Sequence, residues 1–535
     1  MKPAARTLLL ICFLVFFVAC RPVSSPATPA GSAPPAPPAT SVARPRPATD
    51  APSSTTASPS GSTLSVRQPF DGKWDDRAVF RSGLIQDEQK ALDQLQGASV
   101  YHLDVQIADD CLSLQGRLQV RYTNQENKPL DVVYFQLFPN ISGGKSAVSA
   151  VKVDGQDVQA VYEFQSSSLR VPLTTALQPG KQVVIQMDMQ VQLPREMGGN
   201  YGLFGYLDNI LVLDEFYPVI PAYDDQGWHA GALPPNADST YQDVSFYLVR
   251  VAAPANLTVV ASGNVINRET QENRQVLTFA AGPARDFYIA ASDRFTVVSE
   301  KVGETTVNSY AIKEREQVAR QVLQIAMGAV KSYAARFGVY PYTELDLVST
   351  PMQALGIEYP GITGISVALY DPNAKVSGTS SQVLLEGTVA HEVGHQWFYN
   401  VVGNDQINQP WLDESVVQYV TGLYFLDTYG KQGYQGYRDS WLSRWDRVQR
   451  SKIPVGMPAE TYQGAEYSAI VYGRGALFVE ALADKMGQAT FDKFLRDYYG
   501  SHEWDIGTSA SFRQLAEKHC QCDLTSLFDE WVYTK

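Results

Sequence analysis

Cysteine is scarce, with five in 535 residues. That is too few to staple a chain of this length, so buried apolar surface rather than a disulfide framework must hold the fold. Basic charge is also in short supply: 43 Lys and Arg face 56 Asp and Glu, a formal net charge of −13. A chain with that bias has no general attraction for phosphate backbones, which argues against a nucleic-acid partner. No uninterrupted apolar run exceeds the 12 residues from Leu8 to Ala19, which excludes a multispan membrane protein. No fixed-period repeat is present, so solenoids and propellers are excluded too. What remains is 44% hydrophobic and 19% charged, the composition of a globular protein of two or three domains.

The first residues read as an address. Lys2 and Arg6 precede the apolar run, which as a helix would cover about 18 Å against a hydrocarbon core of ~30 Å. Residues 1–19 are therefore expected to be a signal peptide rather than a spanning helix. The run ends Phe17-Val18-Ala19-Cys20, which resembles a bacterial lipobox, with Phe17 standing where Leu is usual. That resemblance implies acylation of Cys20 and an extracytoplasmic protein anchored to a bacterial membrane; plain secretion is the alternative. Residues 20–66 are dominated by Pro, Ala, Ser and Thr. They cannot bury enough apolar surface to fold, so they are expected to act as an extended tether.

Beyond the tether the hydrophobic pattern changes period once. Val183, Ile185, Met187, Met189, Val191 and Leu193 alternate with mostly polar neighbours, and Leu118, Val120 and Tyr122 do the same. Such alternation predicts half-buried antiparallel strands, and several of them form an N-terminal β domain with a leading segment over 67–304, as a saddle or sandwich. From about residue 314 the period becomes helical: Val318, Val322, Ile325 and Ala329 share a face, and Gly338 marks a stop. Short strands are expected near 345–350 and 362–369, then mainly helices from 381. The reading is an α+β chain of two domains, the second over 305–535.

The chemistry concentrates at His391-Glu392-Val393-Gly394-His395. On a helix, positions i and i+4 lie one turn apart on one face, so both imidazoles reach a single ion, and Glu392 can serve as its base. Glu414 follows 19 positions after His395 within Trp411-Leu412-Asp413-Glu414-Ser415, a separation that fits a turn and a second antiparallel helix. Two His, one Glu and an open fourth position describe a catalytic site for one zinc ion rather than a closed structural one.

The pattern resembles the gluzincin family of aminopeptidase N and leukotriene hydrolase. Four segments carry the likeness in order: GIEYPGI (356–362), HEVGHQWFYN (391–400), WLDES (411–415) and YSAIVYGRGA (467–476). The resemblance implies a β saddle followed by a thermolysin-like, mainly helical catalytic domain, and a metallopeptidase acting on peptides, most simply an aminopeptidase. It implies that His391, His395 and Glu414 hold zinc, that Glu392 is the base, and that Tyr472 donates to the oxyanion. It further implies that Glu358 binds the substrate's free amine beside Gly356. Tyr467 matches a second tyrosine of the family. Leu355, Ile357 and Tyr359 depart from the family's Gly-x-Met-Glu-Asn segment. Its N-domain glutamine segment has no clear counterpart, with Gln226 the nearest candidate. A thermolysin-like endopeptidase with an open cleft is the runner-up, since the chain ends soon after the catalytic segments, without the large helical C-terminal domain of longer members. A surface binding protein that has lost catalysis is disfavoured, because both histidines, Glu392 and Glu414 are all present. His519-Cys520-Gln521-Cys522 could hold a soft metal but more simply reflects local structure, and a bridge from Cys111 to one of that pair stays open.

Overall fold

The computed structural model describes residues 70, 72–234, 238 and 240–533. The expected signal peptide, Cys20 and the tether lie outside them. Among the described residues no helix is long and apolar enough to cross a membrane.

Strand Gln182–Gln192 shows why the first half folds as it does. Val183, Ile185, Met187, Met189 and Val191 are buried while the residues between them are half-buried or exposed, so period two has become one wet and one dry face. This strand lies within an eight-stranded sheet whose order runs Asn264–Gln271, Arg274–Ala284, Ser245–Pro254, Ser99–Ile107, Ser113–Thr123, Gln182–Gln192, Lys145–Val153 and Gln156–Asp157. A second layer, Leu130–Gln136 with Ser168–Leu177 and Val161–Glu163, contributes Val133, Phe135, Leu169 and Val171 to the same core. The expected sandwich is present, with one departure from antiparallel order: Ser99–Ile107 pairs parallel with Ser245–Pro254.

The second half is built on a five-stranded sheet in the order Phe295–Val302, Thr305–Ile312, Glu344–Thr350, Ile362–Ser366 and Gly356–Tyr359. The boundary expected at 304/305 therefore falls in the turn of a hairpin whose two strands both belong to this sheet. Gly303 signals a turn, and a hairpin turn reads like a linker when no partner strands are known. The leading segment also departs from its expected place, because Phe80, Leu84, Ala91 and Leu92 join the core of the helical half. Helix Glu316–Phe337 buries Val322, Ile325 and Ala329 as its period requires, whereas Val318 is only partly buried at the margin of that core. Helices Ser381–Gly394 and Trp411–Asp446, the latter interrupted at Gly430, pack beside it. A small third cluster joins Leu203, Ile210, Val212, Val260 and Tyr288 to Val348, Ile357, Tyr359 and Ile362. It sets strand Gly356–Tyr359, the free edge of the five-stranded sheet, against the β domain.

Cys520 and Cys522 are bridged to each other, while Cys111 is buried and unbridged. Both sulfurs of the C-terminal pair are thereby used, which closes the soft-metal reading and the bridge from Cys111.

Candidate active site and metal centre

His391 sits in the last turn of helix Ser381–Gly394, and His395, just past its end, keeps helical backbone angles. The helix is held from behind, where Tyr333 Oη donates to the carbonyl of Ala390 at 2.8 Å. Glu414 lies in the first turn of helix Trp411–Asp446. Across this helix pair His391 Nε2 is 3.0 Å from Glu414 Oε2 and 3.0 Å from His395 Nε2, and the three ligand atoms lie within 4.8 Å of one another. His391, His395 and Glu414 are all buried.

The partners behind the donors fix which nitrogen faces inward. His395 Nδ1 is 3.1 Å from the carbonyl of Phe398, an acceptor only, so the proton sits on Nδ1 and the Nε2 lone pair is directed at the site. His391 Nδ1 faces the Gln418 amide at 3.4 Å, and Tyr437 holds that amide from the other side. Burial, ahead of every other influence, lowers His391 to about 4, which keeps it neutral as a ligand must be. Burial pushes Glu414 upward, but hydrogen bonds from both histidines overcome it and hold the carboxylate well below its ordinary range. Burial likewise opposes charge on His395, yet Glu358, Glu414 and Glu392 together lift it well above the usual value. One imidazole held neutral, a second that a divalent cation would deprotonate, and one ionised carboxylate converge on one point and fit a zinc ion with an open coordination position.

Glu392 is buried on the same turn, and burial, reinforced by Glu358 and Glu414, raises its carboxyl well above the carboxylate range. A divalent cation beside it would favour its ionised form. Its other wall is Gly356: a Cβ built there would lie 2.3 Å from Glu392 Oε1 and 2.5 Å from its Cδ. Any side chain at 356 would displace the Glu392 carboxylate, which is a physical reason for Gly in this segment.

Glu358 points from the edge strand to the same place. Its carboxylate, that of Glu392 and a ring nitrogen of His395 lie within 4.8 Å of one another. It is held there by Gln406, whose Nε2 donates to Glu358 Oε1 at 2.9 Å and to Asp413 Oδ2 at 2.8 Å. The strand itself is pinned by Gln396, which donates to the carbonyl of Tyr359 at 2.9 Å and accepts from Gly361 N at 2.9 Å. Sequence reasoning missed Gln406, Gln396 and the N-domain acids Asp214 and Glu215. Gln226, by contrast, is exposed between the short strands Tyr223–Asp224 and Gly227–Trp228.

Tyr472 lies in a seven-residue π-helix, Ser468–Arg474, a rare geometry frequent at functional sites. Its hydroxyl donates to Glu414 Oε1, at the rim of the metal centre, and its ring is 6.0 Å from that of His391. Tyr467 packs edge-on against it at 5.9 Å, and the Tyr467 hydroxyl is buried without a hydrogen-bond partner among the described residues. The π-helix locks onto the Glu414 helix where Ser415 Oγ donates to the carbonyl of Val471 at 2.7 Å. A Cβ at Gly475 would lie 2.0 Å from that Oγ. The glycines after Tyr472 thus serve close helix packing.

Residues 322–531 match the peptidase family M1 domain. Over that segment the chain is similar to the M1 peptidases. Human endoplasmic reticulum aminopeptidase 2 is 25% identical to this chain over 365 residues, covering 64% of this chain and 36% of that protein. Probable aminopeptidase 2 of Sulfurisphaera tokodaii is 22% identical over 302 residues, covering 54% and 38%. The chain thus spans little more than a third of the length of these relatives. Among solved structures, a mutant of the M1 zinc metallopeptidase of Deinococcus radiodurans bound to a Tyr-Ser-Ala substrate has the same fold, with a TM-score of 0.59 at 19% identity, covering 82% of this chain and 94% of that one. The grouping of His391, His395 and Glu414 fits the zinc of the M1 metallopeptidases that this chain resembles.

Proposed function

We propose that this chain is a zinc aminopeptidase that removes N-terminal residues from peptides outside the cytoplasm. The observation that carries the reading is Glu358, a buried carboxylate with no lysine or arginine partner among the described residues, beside both the base and a zinc ligand. An ammonium placed there would find the anion it needs, and the bond to be cut would then lie one residue away, over the metal centre. Zinc supplies a Lewis acid that activates water and polarises the scissile carbonyl. Glu392 takes the proton from the attacking water and returns it to the leaving amine. The Tyr472 hydroxyl donates to the oxyanion as its charge develops.

One pentapeptide offered with free and with acetylated N-terminus to the zinc-loaded full chain tests this, products being read by mass spectrometry. Stepwise loss of single residues from the free form alone is the expected result. Internal cuts in both forms would make the chain an open-cleft endopeptidase instead. Acylation at Cys20, with a tether over 20–66, would hold the enzyme at a membrane surface. The lipobox likeness supports that reading, and incorporation of labelled fatty acid, lost in Cys20→Ala, is its test.

A further inference from the structure

Helix Trp411–Asp446 reaches the metal centre twice. Glu414 stands in its first turn, and Gln418 follows one turn later, only 3% exposed, with its amide 3.4 Å from His391 Nδ1. Tyr437 comes 19 positions after Gln418, which along an unbroken helix would place it about 28 Å away. Gly430, at a φ of 69°, interrupts the helix in a conformation that suits glycine, and the second half returns to the first. Tyr437 Oη thereby donates to Gln418 Oε1 at 3.0 Å, its ring held flat on Phe425 and edge-on to Trp441. Thr421, fully buried, bonds to the same tyrosine hydroxyl, and its own Oγ1 donates to the carbonyl of Val417 at 2.7 Å.

The direction of these bonds is wrong for a metal on His391. With Gln418 Nε2 donating to Nδ1, the imidazole carries its proton on Nε2, where Glu414 Oε2 accepts it at 3.0 Å. A ring protonated at Nε2 has no lone pair to offer on that side. A metal there needs the proton on Nδ1, and that proton would face the hydrogens of the Gln418 amide.

We infer that the Gln418 amide turns over when the site takes its metal, and that Gln418 and Tyr437 are positioning residues that hold His391 in its ligating tautomer. The turn exchanges Oε1 and Nε2 in place. His391 Nδ1 then donates to Gln418 Oε1, Gln418 Nε2 to Tyr437 Oη, Tyr437 Oη to Thr421 Oγ1, and Thr421 Oγ1 to the Val417 carbonyl. Every donor meets an acceptor, and the row ends on a group that only accepts. The inference rests on the zinc reading of the site and is independent of which peptide bond is cut.

Zinc affinity of the metal-free full chain, measured by competition with a chelator, tests it without reference to turnover. Gln418→Met keeps the length of the side chain and removes both bonds, and affinity is expected to fall about 10–100-fold. Gln418→Glu offers one oxygen to the Nδ1 proton and the other to Tyr437 with no turn needed, so its affinity is expected to equal or exceed that of the parent. Tyr437→Phe is expected to weaken zinc binding by less than Gln418→Met does. Contrary responses of the Met and Glu variants separate positioning from packing, because packing is disturbed in both. A Met variant that binds zinc as tightly as the parent would overturn the inference and leave the zinc site standing. So would a Glu variant that binds more weakly than the parent, which decides the matter where the Met variant fails to fold. A parent chain that takes up no zinc would overturn both readings.

Discussion

At position 356 a single methyl group is expected to do the work of a lost base. A Cβ there meets Glu392 Oε1 at 2.3 Å, and the base, buried between helix and edge strand, has little room to retreat. Gly356→Ala is therefore expected to lower kcat by roughly 10²-fold while zinc stoichiometry stays at one; an unchanged kcat would show that Glu392 can move aside. Glu392→Gln sets the limit for that effect, with zinc bound and turnover reduced by about 10³-fold or more. Metal analysis beside steady-state rates checks both. At this scale the sequence was most legible where function follows helical spacing. The two imidazoles and the base are fixed by i, i+1 and i+4 on one helix. Glu414 was legible from its 19-residue separation from His395, and it lies in the first turn of the next long helix. The groups that tune the site were not, because they meet only through the tertiary fold: Gln406 lies 48 positions from Glu358, and Asp214 lies 145 positions from Tyr359. No local pattern in a single chain announces such a meeting.

Among the elements, the π-helix Ser468–Arg474 governs where Tyr472, the proposed oxyanion donor, stands. Its extra residue per turn turns the Tyr472 hydroxyl toward Glu414, while Arg474 ties the segment to the C-terminal helix Thr525–Trp531 through the carbonyls of Trp531 and Glu530 at 2.6 and 2.8 Å. Tyr472→Phe keeps the ring against Tyr467 and His391 and removes only the hydroxyl. The expected outcome is a fall of about 10²–10³ in kcat with KM little changed; a loss confined to KM would move Tyr472 from oxyanion donor to substrate contact. Periodicity disclosed the long elements, such as Gln182–Gln192 and Glu316–Phe337, because each buries one face along its whole length. It could not disclose the π turn, since seven residues are too few to separate one helical period from another. Nor could it pair Ser99–Ile107 with Ser245–Pro254: alternation says which face is dry and is silent on which strand lies alongside. The hairpin across residue 304 was divided for the same reason.

The two halves of the folded body meet at Arg285, which leaves the β sheet and enters the loop behind the zinc-ligand helix. Its Nε donates to the carbonyls of Tyr399 and Asn400 at 2.7 and 3.0 Å, and its terminal nitrogens reach those of Gln242, Val401 and Asp505 at 3.0, 3.3 and 2.8 Å. Arg285→Met fills the space and leaves those carbonyls unanswered, so a loss of about 3 kcal/mol or more is expected, read as a lower Tm with activity impaired below it. Acid acts where the leading segment meets the eight-stranded sheet. His102, on strand Ser99–Ile107, stacks on Trp74 of the leading segment at 4.2 Å with rings 12° apart, and its Nδ1 is buried without a partner. Burial first, then the charges of Arg121 and Arg77, lowers it to about 4. The unfolded chain takes up this proton near pH 6.5, whereas the folded chain resists until about 4. Stability that is complete above pH 6.5 is therefore lost as the pH falls through that window, by up to about 3 kcal/mol. His102→Phe keeps a ring on Trp74 and removes the titration. Its Tm is expected to fall less than that of the parent between pH 7.5 and pH 5, and equal falls in both proteins would assign the acid sensitivity to other groups.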